Sequence, residues 1–484
     1  MNKYNIEKNF TLLTDFYELT MANGYFQEKM QEKIVYFEMF FRDVPDDGTY
    51  AIIAGLEQLI EYFEDLHFDD EDIDFLRTKG IFSEEFLEYL HNFEFKCDVW
   101  AIPEGTIAFP HEPLLVVRGP ASQAQMLETM ILLTINHQSM IATKANRIVK
   151  AAGGRPVSEF GSRRAQGYSG ANLGARAAYI GGVVGTANTL ADKLFGVPAL
   201  GTMAHSWVQM FDTELDAFRA FARVYPQNCL LLVDTYDTLK SGLPNAIKVF
   251  NEEVVSRGYR PKGIRIDSGD IAYLSKKARK MLDDAGFEDS WIMASNSLDE
   301  FTIRNILVQG ARVDAFGVGE RLITSKSDPV FGGVYKLTGV QGENGEVIPK
   351  IKISENVTKI TNPGFKEIHR FYDKNSNKAI ADVISLHDEL IPEDNYEIFH
   401  PIYTWKRKTL KNFYSKKLLV QIYKEGKLVY KLPTLEEIRK KAISELDSLW
   451  DEVSRIDNPT EYIVDLSDEL WKTRDDLLKK YGKN

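Results

Sequence analysis

Cysteine is almost absent from this chain, and its scarcity excludes two classes of protein. Only Cys97 and Cys229 occur among 484 residues, too few for a disulfide framework and not spaced as a metal site. We expect both to be buried as small apolar side chains. The sequence also lacks an apolar run near the roughly 18 residues that span a bilayer, and Asp15 and Glu18 interrupt what a signal peptide would keep apolar. The sequence therefore predicts a cytoplasmic protein.

An excess of positive charge is missing as well. The net charge of −12 argues against bulk attraction to nucleic acid or to an anionic membrane. An anionic ligand would need locally placed arginines, lysines and backbone amides. The exception is residues 405–431, with nine Lys and Arg against the single acid Glu425. Apolar runs on both sides of its Lys-Glu-Gly-Lys turn predict an edge hairpin; a phosphate-facing role is the alternative.

The length of the chain predicts two or three domains. Residues 1–125 predict an α+β domain with a mostly antiparallel sheet: a helix over 14–21 and strands over 34–41, 95–102 and 106–117. We predict that residues 126–345 form a catalytic (β/α) domain. Residues 346–484 predict a C-terminal extension of mixed strands and helices packing on the other two, with a charged helical tail from Leu435 to about Leu478.

A βα rhythm begins near residue 126. After a helix near 122–151, short apolar runs ending in polar residues recur roughly every 20–35 residues. They end near Arg164, Thr186, His205, Asp237, Asp270, Asn296 and Gly319. Because polar residues follow every run, we favour an irregular (β/α) barrel of six or seven parallel strands over a doubly wound sheet, where only the switch point is functional.

His205 is the first candidate for chemistry. It follows the run Val197–Leu200 and a Gly-Thr pair, so we expect it exposed at a strand end, as a base or a nucleophile. A neutral imidazole needs an acceptor for its other nitrogen. Asp234 ends the next strand, and adjacent strands lie about 5 Å apart, so the sequence predicts an Asp–His pair.

Two charged residues, Arg265 and Asp267, lie at the end of another predicted strand. The two residues alternate around Ile266 and share a face, where they would form either a plain ion pair or a ligand site. In the second case Arg265 would hold a carboxylate or phosphate, and Asp267 a ribose hydroxyl or a hydrated Mg²⁺.

Glycines mark a candidate phosphate site. Gly317 and Gly319 surround Val318 at the last strand end, a pattern that fits a backbone phosphate nest or an ordinary tight turn. Ser295 and Asn296 end the preceding strand and would donate to the same anion. Phe160, before Gly161, is placed to stack on a planar ring, with Arg163 supplying charge.

Together these motifs closely resemble the nicotinate phosphoribosyltransferases, a type II phosphoribosyltransferase family with nicotinamide-using relatives. The matching stretches span most of residues 10–325 in the order of the family and are specific as a set. They are Thr14–Met21, Phe37–Arg42, Glu159–Arg164, Gly201–Ser206, Val233–Asp237, Arg265–Asp270 and Phe316–Glu320.

The resemblance implies that nicotinate condenses with phosphoribosyl pyrophosphate to give nicotinate mononucleotide and pyrophosphate, coupled to ATP hydrolysis, in NAD salvage. It implies that ATP transiently phosphorylates His205, with Asp234 orienting the imidazole. Mg²⁺ is expected on the pyrophosphate, whose charge must be offset as the C1′–O bond breaks.

The resemblance also assigns binding roles. Phe160 and Tyr17 would sandwich the pyridine ring, with Tyr17 arriving from a second subunit, so that the enzyme acts as a homodimer. Arg265 would lie near the carboxylate and ribose, Asp267 on the ribose hydroxyls, and Thr202 near the substrate. Gly317 and Gly319 would bind the 5′-phosphate, with Arg163 nearby and Arg42 approaching phosphate from the partner.

Residue 187 bears on which substrate the enzyme prefers. Nicotinamide-using relatives place an aspartate after a Gly-Thr pair, where this chain has Ala187, which favours nicotinate. The alternatives within the fold are a nicotinamide or a quinolinate phosphoribosyltransferase. Quinolinate, with its second carboxylate, would call for a denser basic cluster than Arg163, Arg164 and Arg265. A phosphate-binding barrel lyase or isomerase and a non-catalytic nucleotide-binding protein are rivals from other classes.

Overall fold

The computed structural model describes residues 9–356 and 359–482. Its strands are β1 Ile34–Phe41, β2 Ala51–Ile52, β3 Asp98–Ala101, β4 Ile107–Ala108, β5 Leu115–Pro120, β6 Val157–Glu159, β7 Gly185–Thr186, β8 Leu230–Leu232, β9 Gly263–Ile266, β10 Trp291–Asn296, β11 Ala315–Val318, β12 Gly333–Gln341, β13 Val347–Pro349, β14 Lys366–Asp373, β15 Ala379–Leu386, β16 Tyr396–Phe399, β17 Arg407–Leu410, β18 Phe413–Lys417, β19 Val420–Lys424, β20 Lys427–Leu428 and β21 Val464–Leu466.

Its α-helices are α1 Phe16–Gln27, α2 Leu56–Glu64, α3 Asp70–Arg77, α4 Glu84–His91, α5 Ala121–Met126, α6 Glu128–Ala151, α7 Gly167–Ile180, α8 Thr189–Phe195, α9 His205–Gln209, α10 Glu214–Val224, α11 Leu243–Val249, α12 Ile271–Asp284, α13 Glu300–Val308, α14 Glu320–Ile323, α15 Leu435–Ser448, α16 Asp451–Ser454 and α17 Asp468–Tyr481.

Contacts divide the chain into two compact units. The first unit comprises residues 1–140 and 330–484, and the second comprises residues 141–329. The predicted division into 1–125, 126–345 and 346–484 stays a prediction about domains. The structure adds that strands from the first and last of those regions share one sheet in the first unit.

The first unit contains a seven-stranded sheet in the order β13-β12-β1-β5-β3-β19-β20. Strand β1 is an internal strand of this sheet and is almost entirely buried, as its run of β-branched and aromatic residues predicts. It pairs antiparallel with β12 and β5, which confirms the antiparallel sheet predicted for the start of the chain. The hairpin of β19 and β20 forms the other edge, so the basic segment contains the edge hairpin that we predicted.

The C-terminal part of the first unit contributes a second sheet, ordered β18-β14-β15-β21. Buried Arg370 joins this sheet to its surroundings, donating to Asp382 at 2.6 Å, Glu445 at 3.0 Å and the carbonyl of Ile107 at 2.9 Å. The predicted helical tail is interrupted, because the segment Val464–Leu466 forms β21, which pairs parallel to β15.

The second unit contains six parallel strands in the order β7-β6-β11-β10-β9-β8. These are six of the seven predicted strands. At least one α-helix lies between each strand and the next one along the chain. The hydrogen-bonded order runs from β7 at one edge to β8 at the other. The parallel α/β organisation is thus confirmed, while closure into a barrel stays a prediction.

The seventh predicted strand, Leu200–His205, is not formed. A single bridge joins Thr186 to Ala199, and the segment beyond it is paired by a side chain instead. Arg265 donates from Nη1 to the Thr202 hydroxyl and from Nη2 to the Met203 carbonyl, both at 3.0 Å. An arginine thus takes up backbone hydrogen bonding that a neighbouring strand would otherwise satisfy.

Candidate active site

The predicted polar residues collect at the carboxyl ends of the strands of the second unit. Phe160 follows β6, Asp234 and Thr235 lie just beyond β8, Asp267 follows β9, and Ser295 is the penultimate residue of β10. Parallel strands present these ends at one edge of the sheet, where α/β proteins build their ligand sites. This edge is the candidate active site.

His205 begins helix α9 rather than ending a strand. Its Nδ1 lies 3.1 Å from Oγ1 of Thr235, and its Nε2 lies 3.8 Å from Oδ2 of Asp267. The side chain is 39% exposed. The imidazole is therefore held at one nitrogen and has a carboxylate near the other, while a reagent from solvent can still reach it.

Asp234 differs from our prediction in what it contacts. Its Oδ2 accepts hydrogen bonds from the backbone N–H of Asp267 at 2.9 Å and from the hydroxyl of Ser268 at 2.6 Å. The hydrogen bond that we expected it to make with His205 is made by Thr235. Asp234 thus joins the ends of β8 and β9. Thr235 lies in the matching stretch Val233–Asp237, but we did not predict a role for it.

Asp267 has a second partner. The hydroxyl of Ser295, which is buried, donates to Asp267 Oδ1. Ser295 is therefore engaged with this carboxylate, whereas the sequence predicted it as a phosphate donor. Asn296, the next residue, has φ +116° and holds the backbone N–H of Ser297 at 2.8 Å with its own Oδ1. Residues other than glycine rarely adopt this backbone conformation, and those that do concentrate at functional sites.

Arg265 is on β9, two residues before Asp267. Burial lowers the pKa of its guanidinium, opposed by the charges of Asp267 and Asp234, and Arg163 lowers it further. In the part of the chain that the structure describes, its buried Nε has no hydrogen-bond partner. An unpaired buried N–H is costly, so Arg265 carries a donor that the described residues leave unsatisfied.

Phe160 packs against the sheet with Leu230, Met293 and Ala315. Its ring lies directly over Gly317, where a Cβ would come within 2.6 Å of Cδ2. A Cβ at Gly319 would meet nothing nearer than the Phe160 carbonyl oxygen at 3.7 Å. Gly317 is thus required by the phenylalanine ring, a reason that the sequence did not reveal, while the predicted phosphate role of both glycines stays a prediction.

Glu159 is fully buried beside Phe160 and joins two strand ends. Its carboxylate accepts from the backbone N–H of Gly161 and from the hydroxyl of Thr186 at 2.6 Å, while its carbonyl accepts from the N–H of Ala187 at 2.8 Å. Burial raises the pKa of this carboxyl. Ala187, the candidate specificity position, is thereby fixed to the strand that precedes Phe160.

Arg163 lies on the exposed 3-10 turn Ser162–Arg164. Its long side chain is therefore solvent-accessible at the same edge of the sheet. This placement is compatible with the charge role that we predicted, which stays a prediction.

Two predicted residues belong to the first unit. Tyr17 is on α1 and is 44% exposed, and partial burial together with nearby Glu128 raises the pKa of its hydroxyl. Arg42 directly follows β1, and its buried Nε has no partner among the described residues. Burial lowers the pKa of nearby His111. The positive charges of Arg42 and Arg474 lower this pKa further, and the negative charge of Asp43 opposes them.

Within 9–356 and 359–482, no three His, Cys, Asp or Glu side chains are grouped to hold a metal ion. None of the helices in those ranges has the length and apolar character needed to cross a bilayer. Cys97 and Cys229 are both buried, as predicted.

Comparison with known protein families places these features in context. Three related sequence models match: the nicotinate phosphoribosyltransferase N-terminal domain over residues 12–136, the nicotinate phosphoribosyltransferase family over 156–376, and the nicotinate phosphoribosyltransferase C-terminal domain over 365–474. These matches cover both units of the structure. The last match falls on the C-terminal region, which had contributed little to the resemblance drawn from the sequence.

Individual proteins agree with the family models. The chain is 43% identical over 469 residues to the nicotinate phosphoribosyltransferase of Bacillus subtilis, covering 97% of this chain and 95% of that protein. The crystal structure of human nicotinic acid phosphoribosyltransferase is similar with a TM-score of 0.85 at 30% identity, over 96% of this chain and 99% of that one. Nicotinate-nucleotide pyrophosphorylase from Pyrococcus furiosus shares the fold, with a TM-score of 0.71 at 23% identity over 93% and 99% of the two chains. From the family models and these full-length similarities, the chain belongs to the nicotinate phosphoribosyltransferase family, a family of transferases.

Proposed function

We propose that this protein condenses nicotinate with 5-phosphoribosyl 1-pyrophosphate in the salvage of NAD. The pyridine nitrogen forms a bond to C1′ as the C1′–O bond to pyrophosphate breaks, giving nicotinate mononucleotide and pyrophosphate. The similarity to named nicotinate phosphoribosyltransferases along nearly the whole chain supports this reaction. In a second, coupled reaction, ATP and water give ADP and phosphate.

The coupled reaction proceeds through His205. An imidazole nitrogen attacks the γ-phosphorus of ATP, ADP leaves, and water later hydrolyses the N–P bond to release phosphate. The observation that carries this step is the geometry of the ring: partly exposed, held by Thr235 at Nδ1, with Asp267 3.8 Å from Nε2. A nucleophile oriented by a hydrogen-bonded neighbour is the usual arrangement for covalent catalysis. Asp234 supports it indirectly by fixing the backbone of Asp267.

The nicotinate and ribose subsites follow the same edge of the sheet. Phe160 binds one face of the pyridine ring, and Arg265, with its unpartnered Nε, binds the carboxylate. Thr202 lies on the substrate side through its hydrogen bond to Arg265. Asp267 holds the ribose hydroxyls, which suits a carboxylate with one oxygen already fixed by Ser295.

Phosphate binding uses the neighbouring strand ends. The backbone around Gly317 and Gly319, together with Asn296, holds the 5′-phosphate, and Arg163 adds charge, while the Ser295 hydroxyl stays on Asp267. The strained backbone of Asn296 supports a functional role there.

A second copy of the chain completes the site. It supplies Tyr17 for the other face of the pyridine ring and Arg42 for phosphate, so that the enzyme acts as a homodimer. The exposed ring of Tyr17 and the unpartnered Nε of Arg42 support these roles. We also propose that the six parallel strands close into a barrel through the segment that contains the Thr186–Ala199 bridge.

Magnesium fits this donor set as an ion that arrives with pyrophosphate. Mg²⁺ binds one or two carboxylates, substrate phosphates and water more often than an all-protein cage. Asp267 offers an accessible carboxylate oxygen, and the described residues hold no cluster of three ligands. The ion would supply positive charge that offsets the charge of the leaving pyrophosphate.

Nicotinate is preferred over nicotinamide and quinolinate. Ala187, fixed beside Phe160 through Glu159, brings no negative charge that would repel a carboxylate. The test compares steady-state turnover of nicotinate, nicotinamide and quinolinate with phosphoribosyl pyrophosphate and Mg²⁺, with and without ATP. The proposal predicts the highest kcat/KM for nicotinate and a further increase with ATP. A preference for either alternative would overturn it.

A further inference from the structure

Two loops carry the proposed phosphate site, and side chains join these loops directly. The first loop, residues 296–299, connects β10 to α13, and the second is Gly319, between β11 and α14. The two strands are parallel neighbours, with Asn296 paired to Val318. The loops therefore leave the sheet side by side, and the spacing between them decides whether groups on both can bind one phosphate.

Glu320 makes the first bridge between the loops, from the start of α14. Its carboxylate accepts a hydrogen bond from the hydroxyl of Ser297 at 2.9 Å. The backbone N–H of Ser297 donates to Oδ1 of Asn296 at 2.8 Å. Asn296 has a positive φ of +116°, which a residue other than glycine keeps only when its surroundings hold it there. The Ser297–Glu320 hydrogen bond is one of the contacts that hold this segment.

Arg321 makes the second bridge, which is more buried. Its Nη1 donates to Oδ2 of Asp299, and the two side chains are only 33% and 11% exposed. Asp299 is also the N-cap of α13, since its Oδ1 accepts from the backbone N–H of Thr302 at 2.7 Å. The guanidinium thus binds a carboxylate that already fixes the start of a helix. A charge-assisted hydrogen bond this well covered is stronger than an ion pair at the surface.

Helix α13 is itself anchored at its first residue, Glu300. The carboxylate of Glu300 is fully buried and lies 2.9 Å from Nζ of Lys144 and 3.0 Å from Nε of Arg147, both on α6. The loop of residues 296–299 is thus attached to β10 at one end and to an anchored helix at the other. The two bridges attach the second loop to it, so separation of the loops would break both contacts.

We propose that Glu320 and Arg321 are positioning residues for phosphoribosyl pyrophosphate: their bridges hold the loop after β11 at a fixed spacing from the loop after β10. This inference rests on the proposed function, in which Asn296 and the backbone around Gly319 bind the 5′-phosphate. Neither side chain touches the phosphate. The charge of Arg321 is offset by Asp299, and Glu320 is negative, so the two residues contribute by preorganising the loops rather than by attracting the anion.

A double-mutant cycle on the full-length enzyme tests the second bridge. Arg321→Met removes the guanidinium, and Asp299→Asn removes the charge of its partner while keeping a good N-cap. Each change should raise the KM for phosphoribosyl pyrophosphate by about threefold to tenfold, the effect of one partly buried charged hydrogen bond. The KM for nicotinate should stay unchanged. The double variant should lose no more than the larger single change.

Two substitutions at one position test the first bridge. Glu320→Gln keeps an acceptor for the Ser297 hydroxyl and should retain the wild-type KM for phosphoribosyl pyrophosphate, whereas Glu320→Ala should raise it. Equal KM values in the two variants would overturn the positioning role of Glu320, because the hydrogen bond would then make no difference.

Arg260→Met is the matched control. It breaks another arginine–aspartate pair, with Asp289, near the amino ends of β9 and β10, and should leave the KM for phosphoribosyl pyrophosphate unchanged. Independent, multiplying effects of Arg321→Met and Asp299→Asn would overturn the inference, as would an equal effect on both substrates.

Failure of the proposed function gives a different result. If the enzyme does not use phosphoribosyl pyrophosphate, the wild type itself shows no turnover. If the phosphate binds elsewhere, Asn296→Gly, which removes the side chain and tolerates the positive φ, leaves the KM for phosphoribosyl pyrophosphate unchanged. A raised KM in Asn296→Gly, with normal values in the variants of both bridges, would keep the phosphate site and refute the positioning role.

Discussion

Nδ1 of His205 lies 3.1 Å from the hydroxyl oxygen of Thr235. This hydrogen bond fixes the imidazole at the edge of the parallel sheet, with Nε2 near Asp267. Thr235 follows directly on Asp234, the residue from which we had expected the contact. The hydroxyl can donate to the ring or accept from it, so it can serve a neutral imidazole in either tautomer.

Thr235 provides the first prediction. Thr235→Val removes the hydroxyl and should lower ATP-coupled kcat by about tenfold or more, because the imidazole loses its orienting hydrogen bond. Thr235→Ser keeps a hydroxyl and should retain most of the activity. Steady-state kinetics of the two variants gives the comparison. Equal activities for valine and serine would show that the hydrogen bond has no part in the reaction.

The difference between Asp234 and Thr235 shows what a sequence leaves open. Consecutive residues of an extended segment point to opposite sides, so only one of these two side chains can face His205. The apolar run Leu230–Val233 predicts that a strand ends here, but not which of the next two residues faces the histidine. The structure turns Thr235 to the imidazole and Asp234 to the N–H of Asp267.

Strands were predictable where apolar runs are buried on both faces. The six parallel strands and β1 follow this rule. The run before His205 has the same composition, yet Arg265 takes the Thr202 hydroxyl and the Met203 carbonyl. A side chain 62 residues away in sequence competes with strand pairing, and local patterning does not contain that information.

Gly317 provides a steric prediction. Gly317→Ala would place a Cβ 2.6 Å from the Phe160 ring, and overpacking of this kind costs about 1–3 kcal/mol. Chemical denaturation should show this loss, together with a higher KM for nicotinate if Phe160 binds the ring. Gly201→Ala is the control, because a Cβ there meets no atom within 4 Å. Unchanged stability of Gly317→Ala would mean that the ring is free to move aside.

Glu18 provides a prediction about pH. Burial raises the pKa of its carboxyl to about 7, above the 4.5 of an exposed glutamate. Between those values the folded protein binds more protons than the unfolded chain, so this group stabilises the fold at low pH and loses that contribution as pH rises to 7. The groups near it are Glu128, Tyr62 and Tyr335.

Glu18→Gln does not titrate. Its free energy of unfolding, relative to wild type, should therefore rise as pH increases from about 5 to 8, which urea denaturation across that range measures. Glu28→Gln, at an exposed glutamate just beyond α1, should follow the wild-type pH dependence. A constant difference between Glu18→Gln and wild type would contradict the role assigned to burial.

Ala187 provides a prediction about specificity. Ala187→Asp places a carboxylate at the position fixed by Glu159, where like-charge repulsion should lower kcat/KM for nicotinate by about tenfold or more. Nicotinamide, which is neutral, should be affected less. Ala187→Asn adds similar volume without charge and should preserve the order of preference. Equal losses for both substrates in the aspartate variant would argue that Ala187 lies outside the ring-binding site.

We expect His205 to accept a phosphoryl group from ATP. Incubation with γ-labelled ATP and Mg²⁺ should leave label on the protein that is lost in acid and retained in base, as an N–P bond requires, and His205→Ala should carry none. Label that is equally abundant in His205→Ala, or that resists acid, would contradict the account.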